Sequence, residues 1–193
     1  MRDRPTRLRL RASKTIDNLS TLMASYARRD CGLQRRRLLE PLGLKRTIAL
    51  APRERPANFA RGHTPEGPDD FEPSLPFAAG NIAAPAEDVL RFWAALLGSK
   101  VYSKKMLRRA FERFYPMFGQ PQFYGLGVML YEVPAEPGKP PILWLGHCGG
   151  TPGFKAVVAY DASRRMFVAA AVNEPVPAEA VAFRLLKTAT NPV

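Results

Sequence analysis

Cysteine is scarce: the two residues, Cys31 and Cys148, are too few for a disulfide framework, and no C-x-x-C pair is present to seed a zinc site. No cofactor motif and no metal motif stands out elsewhere. Long apolar runs are missing as well. No stretch approaches the about eighteen residues of a membrane span, and the first thirty residues lack the apolar core of a signal peptide. The expectation is therefore a soluble chain, not exported as written, with its redox compartment undecided. What the sequence does have is an ordinary globular composition, 46% hydrophobic, 24% charged and 10% aromatic in 193 residues. That is enough for one sizeable core, and it excludes whole-chain disorder and fibrous repeats.

Acidic residues are few, 17 against 29 Lys and Arg, for a net charge of +12. The imbalance is local. Residues 1–50 carry a net of +9 and the remaining 143 only +3, so a basic N-terminal segment is joined to a nearly balanced body. Arg2, Arg4, Arg7, Arg9 and Arg11 lie in a stretch that fits a flexible arm over 1–17. Charge runs of this kind are usually solvated, so nucleic acid is not the expected partner. A basic-arm binder of nucleic acid remains a third reading, which a steep fall of affinity with salt would identify.

Hydrophobic spacing places the elements. Leu19, Leu22, Met23 and Tyr26 fall at helical intervals, which predicts helical pieces over 18–29 and 33–42 with a break at Asp30-Cys31-Gly32. Six prolines between 51 and 76 predict a long surface loop. The clearest helix is 86–97. Pro85 suits its first turn, Glu87 and Asp88 its positive end, Gly98 its stop, and Val89, Leu90, Trp93, Leu96 and Leu97 form its apolar stripe. Ser103 can cap a second helix over 104–114, with Lys104, Lys105, Arg108, Arg109 and Arg113 on a solvated face. After Gly119 the period drops to two. Strands are expected around Tyr124–Tyr131, then at 141–147, 154–160 and 166–173, joined by short links that favour antiparallel pairing, with 161–165 as the last turn. A closing helix over 178–189 would lay Val181, Phe183, Leu185 and Leu186 on the sheet. The fold class is α+β, an antiparallel sheet with helices packed on it.

Several segments, in order, resemble one family. Gly146-His-Cys-Gly-Gly-Thr-Pro-Gly-Phe154, with strands ending in Ala159-Tyr-Asp161 and Val172-Asn-Glu174, is similar to the C-terminal half of the serine β-lactamase and penicillin-binding protein superfamily, in its class C-like branch. Upstream, Leu38-Leu-Glu-Pro-Leu-Gly-Leu44 with Thr47 resembles that branch's PLGM..T helix end. Ala60-Arg-Gly-His-Thr64 resembles its ARGY loop, and Ala78-Ala-Gly-Asn-Ile82 with Glu87-Asp-Val-Leu-Arg-Phe92 its AGGL and STA.DLARF helix. Tyr124-Gly-Leu-Gly127 matches its YGLG strand. The resemblance covers about residues 18–190, which implies a partial β-lactamase/transpeptidase-like fold over 18–193.

In such enzymes a Ser activated by the Lys of S-x-x-K attacks a carbonyl, a Tyr-x-Asn element assists, and a K-T-G or H-x-G strand forms the far wall. His147-Cys148-Gly149 fits the H-x-G form. The resemblance implies hydrogen bonding or proton transfer for His147, close backbone approach at Gly149, and an oxyanion donor in the Gly150 N–H. Cys148 stands where the family has a hydroxyl. A Cys148–His147 dyad is not expected, because strand neighbours point to opposite faces. Where Tyr-x-Asn would fall the chain reads Ile16-Asp17-Asn18, leaving Asn18 as its remnant.

None of the seven serines (Ser13, Ser20, Ser25, Ser74, Ser99, Ser103 and Ser163) has Lys three places on. The expected function is therefore part of a serine hydrolase acting on a β-lactam, a D-amino peptide or a small ester, inactive as this chain unless an upstream half supplies the nucleophile. A non-enzymatic binding protein on the same scaffold is the alternative. The implied partner is a small molecule or peptide. The family is often exported, so the compartment stays open. Because the family's N-terminal portion completes the sheet, an open sheet face or edge, and with it self-association, is expected here.

Overall fold

The computed structural model describes residues 31–189, apart from 77–78, 118, 120 and 136. The expected arm 1–17, the expected helix 18–29 and Asn18 lie outside the described residues. The described part begins with a helical segment α1 over 31–39, whose last five residues, Arg35–Leu39, have π-type spacing. Three further helices follow: α2 (Ala86–Leu97), α3 (Lys104–Ala110) and α4 (Ala178–Ala189). Ten strands complete the order, namely β1 (Ile48–Ala49), β2 (His63–Thr64), β3 (Gly67–Pro68), β4 (Ile82–Ala83), β5 (Tyr115–Pro116), β6 (Gln122–Tyr124), β7 (Met129–Val133), β8 (Ile142–Thr151), β9 (Phe154–Asp161) and β10 (Met166–Val172).

The last six strands form one antiparallel sheet in the order β10-β9-β8-β7-β6-β5. Its centre is apolar on both sides. In β9, Val157, Val158 and Ala159 are all buried, although successive residues face opposite ways. Val157 and Ala159 join Met129, Tyr131, Trp144, Val168 and Ala170 under Ala178, Ala182 and Leu186 of α4. Val158 joins Trp93 and Leu96 of α2 and Leu107 of α3, with Leu145, Phe167 and Ala169 packed alongside. The result is a sheet between two helical layers.

That sandwich corrects the expectation of a bare sheet face. The cover for the second face comes from α2 and α3. The buried row of α4 also differs from the expected one. Ala178, Ala182 and Leu186 lie against the sheet while Val181 and Leu185 stay exposed. Alanine at 178 and 182 lets the first two turns of the helix close on the strands, and Phe183 completes the contact with its ring 5.8 Å from that of Trp144.

Two further elements depart from the sequence pattern. The expected strand 124–131 is a hairpin: β6 ends at Tyr124, the Gly125 N–H donates to the Val128 carbonyl at 2.8 Å, and Gly127 takes a φ of 73° that a side chain would resist. Leu126, placed by alternation as a strand residue, is 75% exposed at the tip. α3 stops at Ala110 instead of 114, since the chain must turn to enter β5 at Tyr115. Ser103 caps α3 as expected, accepting from the Met106 N–H at 3.3 Å. The Pro-rich loop 51–76 is irregular but carries the small β2–β3 hairpin.

Two buried carboxylates tie segments together. Asp88, in the first turn of α2, accepts from the Thr47 hydroxyl (2.9 Å) and the Arg46 N–H (3.1 Å), which fixes the 38–47 segment to that helix. Asp161 ends β9 and has no exposed surface. It accepts from Trp144 Nε1 (3.3 Å), Ser163 Oγ (2.6 Å) and the Ser163 and Arg164 N–H groups. Burial alone would raise its pKa, but these hydrogen bonds, led by that from Ser163, outweigh it and hold the carboxyl below its usual range.

A lowered folded-state value means that Asp161 stabilises the fold above the unfolded carboxylate value of about 3.9, and that this contribution disappears as pH falls through the folded one. Asp161→Asn should therefore cost about 1–3 kcal/mol in urea melts at neutral pH. The gap to wild type should narrow at pH 3. Equal stability at neutral pH, or a gap that widens in acid, would contradict this role.

The β10 edge of the sheet is unpaired among the described residues. Its sequence Met-Phe-Val-Ala-Ala-Ala-Val contains no charge or proline to blunt it. Sedimentation at rising concentration should show growth beyond the monomer, reduced by a lysine at exposed Ala171 (Ala171→Lys). A clean monomer throughout would show the edge to be protected.

Candidate functional site

β8 is the longest strand, and its two neighbours do not match its length. β9 pairs with it from Trp144 to Thr151, whereas β7 pairs only from Ile142 to Gly146. Among the described residues, the strand thus has a partner on one side only from His147 to Thr151. The sequence pattern ended this strand at 147, because glycines carry no alternation signal.

The direction of the backbone groups along this half-paired stretch follows from one contact. The Cys148 N–H donates to Met129 Sδ at 3.3 Å, on the β7 side and away from β9. In an antiparallel ladder successive residues alternate in direction. The N–H groups of His147 and Gly149 therefore face β9, and that of Gly150 faces the open side. Gly149 is exposed, and a Cβ built there would meet nothing within 4 Å, so nothing in the described chain crowds that position. At Gly150 a Cβ would stand 2.6 Å from the Phe154 carbonyl oxygen, so glycine lets β8 and β9 close up.

His147 stands where β7 stops. Its Nε2 lies 2.9 Å from the Tyr124 hydroxyl, and the two rings meet edge to face at 5.5 Å and 77°. Cys148 belongs to the other face, with Sγ 3.7 Å from Met129 Sδ and with Tyr131 and α4 nearby. The two side chains form no dyad. Burial, then a hydrogen bond with Glu179, pushes the Cys148 thiol up, which keeps it from being a ready thiolate. Burial is likewise the first cause that raises the Tyr131 phenol, followed by Cys148.

The loop 51–76 closes the end of the half-paired stretch. Asp69 Oδ2 accepts from the Gly153 N–H at 2.9 Å, packed so closely that a Cβ on Gly153 would collide with the carboxylate. The Phe59 ring meets Phe154 edge-on at 5.7 Å. The His63 N–H donates to the Asn173 carbonyl, and Asn173 Nδ2 returns a bond to the Arg61 carbonyl. His63 itself is exposed. These contacts account for the length of the loop: it braces the β8–β9 turn and the end of β10.

Of the expected site residues, His147, Gly149 and Gly150 therefore share one strand end, and Asn18 is outside the described residues. The partner of His147, Tyr124, was legible only as a strand residue of the YGLG segment, since the contact depends on hairpin register across 23 positions. Among the described residues no three His, Cys, Asp or Glu side chains gather where they could hold a metal ion, and no helix is long and apolar enough to cross a membrane.

Residues 33–189 match the Beta-lactamase family. No curated protein matches. Solved structures similar in fold include the D-amino acid amidase of Ochrobactrum anthropi SV3, at 22% identity and a TM-score of 0.67, over 83% of this chain and 51% of that one. Another is the D-alanine carboxypeptidase AmpC of Burkholderia cenocepacia, at 25% identity and a TM-score of 0.60, over 82% and 55%. A penicillin-binding protein of Bacillus halodurans aligns at 18% identity and a TM-score of 0.62, over 79% and 47%. The chain spans about half the length of these structures. With a match that runs through α2, α3, the whole sheet and α4, the chain belongs to the Beta-lactamase family.

Proposed function

We propose that this chain carries the sheet wall of an acyl-serine hydrolase site, and that its 193 residues are inactive alone because they contain no S-x-x-K. The observation that carries this reading is the half-paired end of β8, with His147 at its start and the Gly150 N–H on its open side. An extended substrate backbone can add along such an edge, as a strand adds to a sheet. A carbonyl oxygen brought to Gly150 would then gain a donor as it becomes an oxyanion, a type of contact whose loss costs about 2.7–4 kcal/mol in such enzymes. His147 would supply hydrogen bonding or proton transfer to the same group. The open space at Gly149 leaves room for the backbone to approach.

The same edge and the relatives support a substrate class. An amidase of D-amino acids and a D-alanine carboxypeptidase support an amide of a D-configured residue, with β-lactams and small esters as neighbouring chemistries. The serine and its lysine would have to come from residues outside these 193. Asn18, as the remnant of Tyr-x-Asn, would belong to that missing side. A second reading is favoured by the absent S-x-x-K: the same edge could hold an extended peptide by main-chain hydrogen bonds without any chemistry.

Incubation with a labelled penicillin and with a fluorophosphonate, followed by intact mass, separates the readings from a self-sufficient enzyme. No covalent adduct is expected on the purified chain. Stoichiometric labelling at any serine would overturn the proposed inactivity.

A further inference from the structure

His147 is one of only two histidines in the chain, and its Nε2 is not idle. The Tyr124 hydroxyl sits 2.9 Å from it, with the rings edge to face at 5.5 Å. A hydrogen bond between a phenol and a neutral imidazole can run in either direction in principle. The acid–base strengths decide it. A phenol is a fair acid and a weak acceptor, whereas the unprotonated imidazole nitrogen is the most basic neutral group of the pair, so O–H donating to N is the stronger arrangement. The backbone fixes the partners. Tyr124 is locked opposite Met129 in β7 and Tyr115 in β5, and Met129 is opposite Gly146, the residue before His147.

We infer that Tyr124 is a positioning residue for His147: its hydroxyl donates to Nε2 and so holds the ring with its proton on Nδ1. This deepens the acyl-serine reading and rests on it for its functional meaning. A ring whose Nε2 lone pair is already occupied is a hydrogen-bond donor through Nδ1–H, suited to an anionic group such as a substrate carboxylate or a developing oxyanion. It cannot accept a proton at Nε2 without first giving up the tyrosine. Of the two roles open to His147, donation is the one that Tyr124 selects. The same contact sets the ring edge-on at the point where the substrate edge of β8 begins.

The test reads the tautomer directly, in the full chain labelled with nitrogen-15, from the correlation of the imidazole carbon-bound protons with both ring nitrogens. The pH is chosen so that both rings are neutral. With two histidines there are two ring systems, and His63→Gln assigns them. In wild type, His147 should show an unprotonated Nε2 and a protonated Nδ1. In Tyr124→Phe the ratio of the Nδ1–H to the Nε2–H form should fall by about two- to tenfold, the worth of one neutral hydrogen bond, with His63 unchanged. A wild-type His147 protonated at Nε2 would overturn the assignment, as would a Tyr124→Phe variant with an unchanged ratio and an intact amide spectrum. If that variant does not fold, the wild-type tautomer alone decides. Covalent labelling of the chain by a penicillin would refute the proposed inactivity and leave this assignment standing, so the two failures are distinguishable.

Discussion

The constraint on which the rest of the structure depends is that β9 is apolar on both faces. Val157 and Ala159 point to one side and Val158 to the other, and all three are buried. A strand of this kind needs cover above and below. α4 supplies one layer and α2 with α3 the other, each through its own cluster of buried side chains. The pairing partners inherit the requirement: Trp144 and Leu145 of β8, and Phe167 and Val168 of β10, alternate between the same two layers. Asp161 closes the ladder at one end by collecting donors from Trp144, Ser163 and Arg164.

The candidate site is a consequence of unequal strand lengths on this ladder. β9 supports β8 to Thr151, but β7 can begin only after the Gly125–Val128 turn, at Met129. The ladder therefore steps, and the step leaves Gly150 with a backbone donor facing outward on a strand that its other neighbour keeps rigid. Rigid support is what the proposed oxyanion donor requires, because a donor already in place need not reorganise when charge develops. The loop 51–76 adds to that rigidity. Its contacts through Asp69, Phe59 and His63 fall on the β8–β9 turn and on the residue just past β10. A stretch that by composition is only a proline-rich connection is a brace for the site.

Much of this was legible in the residues, for identifiable reasons. α2 carried every local signal at once, from Pro85 through its stripe to Gly98, and it runs from Ala86 to Leu97 as expected. β9, β10 and the turn 161–165 were marked by short apolar runs bounded by Asp and Arg. The losses occurred where side chains are silent or contacts are distant. Gly149 and Gly150 gave no alternation, so the length of β8 was underestimated, and with it the step. Gly125 and Gly127 fit a strand by alternation although they make the turn. In α4 the larger side chains Val181 and Leu185 drew the expectation away from Ala178 and Ala182, whose small size is what permits contact. The Tyr124–His147 contact required the register of two hairpins, which no local pattern encodes.

The proposed site depends on the direction of the backbone groups at the end of β8. Residue-resolved hydrogen exchange on the full chain tests it most directly. The amides of His147 and Gly149, bonded to β9, should exchange slowly, while that of Gly150, facing the open side, exchanges fast. Slow exchange at Gly150, or fast exchange across all three, would contradict the half-paired strand and the donor it offers.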